Sequence, residues 1–354
     1  MGSEARAGAA PANRLPLFAL LGANAISLVG NQLTAIAVPW FVLVTTGSAA
    51  KTGLVAFCTI LPAILGTFFG GAIVDRLGYR RASIVADLAS GITVALIPLL
   101  YLTVGLAFWQ LLALVFLGAL LDTPGATARS ALLPDLAGLA GIRLERTSAA
   151  DGAIRRAALL LGSPLAGLLV ALVGPTRVLW VDAATFAVSA ALLALAVPAP
   201  RAAAEHAEER ESARYLDELL DGLRFIRRDR LILALVLTVM LTNLLDAASG
   251  SVIIPVYARQ VYGSALDFGL MVAAFGGGAM AGTLAFGAVG HRLPRRATFI
   301  GAFILTGTVK FAILALFPPL GIVLATLALT SVGAGPLNPI IDTLKYERVP
   351  EDLR

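Results

Sequence analysis

Six polar side chains stand inside stretches otherwise built of Leu, Ala, Val, Ile and Phe: Asn31, Gln32, Asp122, Asn243, Asp246 and Asn338. Thr34 accompanies the first two in "GNQLT". Each stretch has the length that crosses a bilayer, about 20 residues. An acid at bilayer depth costs about 2.5–3.5 kcal/mol on insertion scales, so its presence needs a reason. Two reasons fit these residue types. In a polar cavity a carboxyl group can take up a proton and an amide can bind a substrate. Alternatively, the same groups hydrogen-bond between helices and only hold a bundle together.

Three more charges lie in apolar runs. Asp87 falls one to two turns into its run, where a nearby arginine would pair with it. Asp182 lies close to the outer end of another run, and Lys310 is long enough to snorkel out of a third. A structural role is expected of all three. Other chemistries lack material. Cys58 is the only cysteine, and His206 and His291 both lie in polar segments, so no metal site, disulfide framework or histidine-based triad is expected. No Gly-Lys-Ser/Thr phosphate loop is present, so any work the chain does is driven by a gradient. Neither a cofactor nor an enzymatic activity is expected.

The elements that carry these residues follow from composition. The 354 residues are 58% hydrophobic and 14% charged, against about 45–50% and 25% in a soluble domain. Mean hydropathy is +0.87. This predicts an all-α polytopic membrane protein. Ten spans are expected, at roughly 16–46, 51–74, 81–104, 107–131, 148–173, 176–197, 231–258, 265–290, 297–317 and 320–344. The net charge of +5 would suggest nucleic acid in a soluble protein. Here the basic residues fall in alternate loops. One side holds Lys51, Arg177 and Arg259; the other holds Arg14, Arg76, Arg80, Arg81, Arg129, Arg143, Arg146, Arg224, Arg227, Arg228, Arg292, Arg295, Arg296 and Arg348. The positive-inside rule puts both chain ends in the cytoplasm. The lipid bilayer, not nucleic acid, is the expected partner.

Residues 1–14 read as a disordered cytoplasmic N-terminus and 15–198 as a six-helix bundle. A cytoplasmic linker, 199–230, follows; in it Leu216, Leu219, Leu220, Leu223 and Ile226 at helical spacing predict an amphipathic helix. Residues 231–354 form a second bundle with four helices. The halves repeat. Pro39 and Pro255, Gly47 and Gly263, Gly71 and Gly287, and Pro134 and Pro350 each stand 216 residues apart, as do Asp122 and Asn338. Such a repeat points to two parallel bundles related by an axis along the membrane normal. It also predicts a complete length of roughly 414 residues, so two last helices lack counterparts, through fragmentation or natural truncation.

Between the second and third spans lies "GAIVDRLGYRR". Gly71, Asp75, Arg76, Gly78, Arg80 and Arg81 place charges in one surface turn, with Gly78 free to take positive φ. Two arginines at a helix start oppose its dipole, so cytoplasmic retention and lipid phosphates are the expected reason for them. The pattern resembles the signature loop of the major facilitator superfamily, and "GAVGHRLPRRA" is its degenerate repeat. In span five, Gly162, Pro164 and Gly167 resemble the glycine-proline motif of the antiporter subgroup, with Ser163 interposed and Ala166 replacing a glycine. Small residues allow close helix approach and proline kinks the helix. At the entrance of this span Asp151, Arg155 and Arg156 are expected to form an ion-pair cluster with Glu145 or Asp75.

The stretches "NQLTAIAVPWFVL", "RSALLPDL", "LWVDAATFAVSAALLALAVP" and "GLRFIRRDRLI" resemble one bacterial branch, the macrolide-efflux and enterobactin-exporter type. The resemblance implies an inner-membrane, monomeric exporter of a small drug or metabolite. It would be driven by proton exchange and work by alternating access between the bundles, with spans one, four, seven and ten lining a central cavity. An arginine usual in span four of proton antiporters is absent before Arg129, read here as lying at the cytoplasmic end, so Asp122 would fill the protonatable role. Few aromatics and a few acids suit a lipophilic, cationic compound. In the family the loop aspartate, here Asp75, lies against helix eleven, so this chain alone would transport poorly. An importer of a small metabolite and a non-transporting truncated scaffold are the alternatives.

Overall fold

A computed structural model describes residues 13–198, 227 and 230–348, except for the side chains at 67–73, 75, 230, 231, 342 and 344–348. The N-terminal segment and the amphipathic linker helix expected above lie outside the described residues. Among the described residues ten helices are long and apolar enough to cross a membrane. Contacts divide the chain into two compact units, Met1–Pro200 and Arg201–Arg354.

The first unit contains α1 (Leu15–Thr46), α2 (Ala49–Leu77), α3 (Tyr79–Thr103), α4 (Phe108–Ala140), α5 (Leu144–Val173) and α6 (Pro175–Ala196). It is assembled on α1, which packs against α6, α5, α4 and α2, while α3 packs on α4 and α6. The packed faces carry small and aliphatic residues. Leu17, Leu20 and Ala23 of α1 meet Leu132, Leu133, Leu136 and Ala140 of α4 and Leu193 of α6. The outward faces are equally apolar: Leu102, Trp109, Leu161 and Leu195 are exposed. In water such faces would collapse together; here they form the wall that meets lipid.

Two details depart from expectation. α4 runs to Ala140, nine residues beyond the expected end of span four. Its last turns are held by the apolar cluster with α1 and α6, and the helix tolerates Pro134 before Gly141 ends it at φ 64°. Arg129 is therefore inside the helix and 3% exposed, not in a cytoplasmic loop. The hinge between α2 and α3 is also tighter than expected. It is the single residue Gly78, with φ 75°, where a side chain would be strained. Gly71, Asp75 and Arg76 lie in α2; Arg80 and Arg81 lie in the first turn of α3. The side chain of Asp75 lies outside the described residues. Arg76 and Arg81 are exposed, as lipid contact requires.

Arg80 does something else. Its Nε donates to the Leu193 carbonyl at 3.4 Å, and its Nη2 donates to the Ala194 carbonyl. It thus caps the C-terminal turn of α6, where carbonyls are otherwise unpaired and a cation suits the dipole. Arg80→Ala should cost about 1–2 kcal/mol in thermal unfolding of the purified chain. Arg81→Ala should stay within about 0.5 kcal/mol. Equal effects of the two would remove the capping role.

The second unit contains α7 (Ile232–Tyr262), α8 (Ala265–Arg292), α9 (Arg295–Leu314) and α10 (Leu320–Ile341). The repeat is visible in its turns. Gly263 ends α7 at φ 71° as Gly47 ends α1 at φ 67°. Ser264 then caps α8 as Ser48 caps α2, each accepting from the backbone N–H three residues on. The interior proline is handled differently. Pro39 sits in continuous α-helix, whereas Pro255 is flanked by π-turns at Ser249–Ile253 and Ala258–Tyr262. A proline lacks the N–H and crowds the preceding turn, and a π-turn is one way to absorb that. α8 and α10 cross closely through glycines: a Cβ at Gly278 would fall on the Ala328 carbonyl, and one at Gly282 on that of Val332.

Candidate functional site

The site begins with spacing on α1. Asn24, Ser27, Asn31 and Thr34 recur at three- and four-residue steps, so they share one face over about 15 Å. Each reaches a different neighbour. Asn24 Nδ2 donates to Asp151 Oδ1 of α5 at 2.6 Å. Ser27 Oγ accepts from Arg129 Nη2 of α4 at 3.5 Å. Asn31 Nδ2 donates to Asp122 Oδ2 of α4 at 3.1 Å. Thr34 Oγ1 donates to Asp182 Oδ2 of α6. Beside this stripe, Gln32 Oε1 accepts from Ser163 Oγ of α5 at 3.1 Å. The two candidate amides of α1 are thus both engaged within the bundle.

The charged centre lies where α1, α3, α4 and α6 meet. Arg129 Nη1 pairs with Asp87 Oδ1 at 2.5 Å, and Asp87 is fully buried. The other oxygen of Asp87 accepts from Ser189 Oγ of α6 at 2.6 Å. Asp122 stands on the far side of the guanidinium, with its Oδ1 3.9 Å from Arg129 Nη2. That oxygen and Arg129 Nε have no hydrogen-bond partner among the described residues. Two carboxylates therefore share one guanidinium, leaving a surplus of one negative charge if both ionise. With Arg129 and Asp87 buried and Asp122 partly exposed, such a cluster is suited to exchange one proton.

Asp182, about two turns into α6, is fully buried, and it accepts from Thr34 and from Thr185 Oγ1, the latter at 3.1 Å. A Cβ at Gly30 would fall on both Asp182 and Thr185, so glycine is what lets α1 approach α6 there. The span-five motif works similarly. A Cβ at Gly162 would lie 3.0 Å from the side chain of Gln32, and Ser163 and Gly167 are buried. Asp151 pairs with Arg155 at 2.9 Å, whereas Glu145 pairs with exposed Arg143 at 3.5 Å.

In the second unit the candidates Asn243, Asp246 and Asn338 are exposed. Asp246 lies 3.8 Å from Lys310 Nζ. Lys310 does not snorkel. It is 2% exposed, its ammonium 4.6 Å from the ring centroid of Phe311 and 5.4 Å from that of Phe275. Rings and a carboxylate together replace the water it gives up. Asp246, Thr238 and Thr242 of α7 face Phe299, Phe303 and Gly307 of α9 across an open cleft of about 460 Å³.

The sequence reading missed the centre of the cluster because it placed Arg129 in a loop. A signal was available: Asp122 and Arg129 are two helical turns apart, and apolar residues continue past Arg129 to a glycine. Nothing in the sequence pointed to Ser189 as a partner of Asp87.

A family model described as the Major Facilitator Superfamily matches residues 20–354. The chain is 32% identical over 345 residues to a protein of Mycobacterium tuberculosis (strain ATCC 25618 / H37Rv) named "Multidrug efflux pump Tap", covering 97% of this chain and 81% of that one. The protein of that name from Mycolicibacterium fortuitum is 31% identical over 344 residues, covering 96% and 83%. Among solved structures, the nucleoside transporter NupG is similar at a TM-score of 0.77 and 11% identity, covering 96% of this chain and 84% of that one. A bacterial homologue of the iron transporter ferroportin, in an inward-facing state, is similar at 0.64 and 15%, covering 95% and 84%. At those identities the likeness concerns the fold.

Proposed function

The chain belongs to the major facilitator superfamily, and on that premise we propose that it exports a small lipophilic compound, a drug or metabolite, in exchange for protons. The observation that carries the direction of transport is the similarity to proteins named multidrug efflux pumps, which extends over 97% of the chain. Proton coupling draws its support from the first unit. Asp122 keeps one oxygen without a hydrogen-bond partner among the described residues, next to an arginine already paired with Asp87. A proton bound there neutralises the surplus charge; its release restores it. Asp122 is thus the proton carrier, and Asn31, which already bonds it, orients it. Asn243, Asp246 and Asn338 are the candidate substrate contacts contributed by the second unit. The signature residues Gly71 to Arg81 and the motif at Gly162, Pro164 and Gly167 serve the alternation of access. The chain acts as a monomer in the inner membrane, and the distribution of its arginines supports a cytoplasmic N-terminus.

The test is ethidium accumulation in everted vesicles from cells expressing the chain, whose cytoplasmic face points outward so that export runs into the lumen. Weak export, driven by an imposed proton gradient and abolished by a protonophore, is expected. Asp122→Asn should reduce gradient-driven efflux to the level of empty vesicles while leaving the amount of folded protein unchanged. Full pH-dependent efflux by that variant would remove Asp122 from the coupling role.

A further inference from the structure

Arg129 has one fixed and one unfinished partnership. Asp87 is fully buried and takes both Arg129 and Ser189 at 2.5 and 2.6 Å, so its two oxygens are satisfied. Asp122 has a side chain 27% exposed, an unpaired Oδ1 and a 3.9 Å gap to the guanidinium. The donors on that side of Arg129 are underused: Nε has no partner and Nη2 reaches Ser27 only at 3.5 Å. An ionised carboxylate and a guanidinium with free donors, 3.9 Å apart, would be expected to close. A protonated Oδ1 would not, because it presents a hydrogen to a donor. The other oxygen already accepts from Asn31, which leaves Oδ1 as the place for the proton.

We propose that Asp87 is a positioning residue for proton coupling: it holds Arg129 back from Asp122, so that the guanidinium engages Asp122 only after Asp122 has released its proton. Uptake forms an O–H bond at the buried Oδ1 and release breaks it, with the proton exchanged with water at the exposed part of the side chain; no other bond changes. α3, through Asp87, thereby sets the pH at which α4 switches. The other charged groups around the site are already engaged or distant. Asp182 of α6 is held by Thr34 and Thr185, and Asp151 of α5 by Asn24 and Arg155. The described charges of α2, Lys51 and Arg76, are exposed. α1 brings Ser27 and Asn31, which are uncharged.

This rests on the reading of Asp122 as proton carrier, and the experiment separates the two. The full chain is purified into proteoliposomes, and gradient-driven ethidium transport is measured against pH. Asp87→Asn frees Arg129 to hold Asp122 ionised, so the midpoint should move acid by about one pH unit, the effect of one nearby charge. Asp87→Glu should restore the wild-type midpoint. Replacing the pair together, Asp87→Asn with Arg129→Gln, removes the nearer positive charge as well, so the midpoint should move alkaline. That variant leaves Asp122 as the one acid of the cluster, able to stay neutral by keeping its proton, and decides the matter if Asp87→Asn does not accumulate. A merely structural role for Asp87 would lower protein yield without moving the midpoint, and wild-type midpoints in the variants overturn the proposal. If the midpoints stay while Asp122→Asn has lost its pH dependence, only the role of Asp87 falls. If Asp122→Asn keeps the full profile, the carrier assignment falls, and this proposal with it.

Discussion

Arg129→Ala should destabilise the first unit by about 3–5 kcal/mol, the cost of leaving one member of a buried ion pair alone. Asp87 would then be a buried carboxylate with Ser189 as its one remaining partner in the cluster. The interhelical amide bonds of α1 set the scale for comparison. Such bonds average about 0.6 kcal/mol in membrane proteins, so losing the Gln32–Ser163 bond by Gln32→Ala should be barely measurable. Thermal unfolding of the purified chain checks both. Replacing the pair by apolar residues of similar size, Asp87→Leu with Arg129→Met, should recover most of the loss, since the cost lies in the unpaired charge. An Arg129→Ala variant within 1 kcal/mol of the wild type would mean that the 2.5 Å pair contributes little.

Gly282→Val should cost the second unit about 3 kcal/mol, at the upper end for overpacking. A Cβ there would fall on the Val332 carbonyl and lie 2.8 Å from that residue's Cα. From the other side, a Cβ at Gly335 would fall on the backbone of Gly282. Backbone meets backbone, so no side chain can rotate away to make room, and α8 and α10 would have to separate. The same change at Gly287, five residues on in the same helix, meets nothing within 4 Å. Gly287→Val should therefore be neutral or slightly stabilising, because glycine is a poor helix former. Folded yield and unfolding temperature of the two variants check this. Equal losses would show that the defect is one of α8 alone and not of the crossing.

The ten spans were legible from the chain alone, since length and apolarity are local properties that lipid reads directly. So were the repeat and the turn at Gly78, because a positive φ demands glycine wherever the turn is placed. The polar residues were legible as a set: an Asp or Asn in an apolar run is conspicuous by its cost. Which of them meet was decided by the tertiary structure. Asp87 and Asp182 read as minor features, yet they are the fully buried acids among the described residues. Arg80 read as a lipid contact, yet it caps a helix 113 residues away. Arg129 read as a loop residue, yet it is the cation of the charged centre. The physical reason is the same in each case. Insertion into a membrane depends on what a segment contains, whereas the partner of a buried charge depends on which face of which helix is turned toward it, and that is set only when the helices pack.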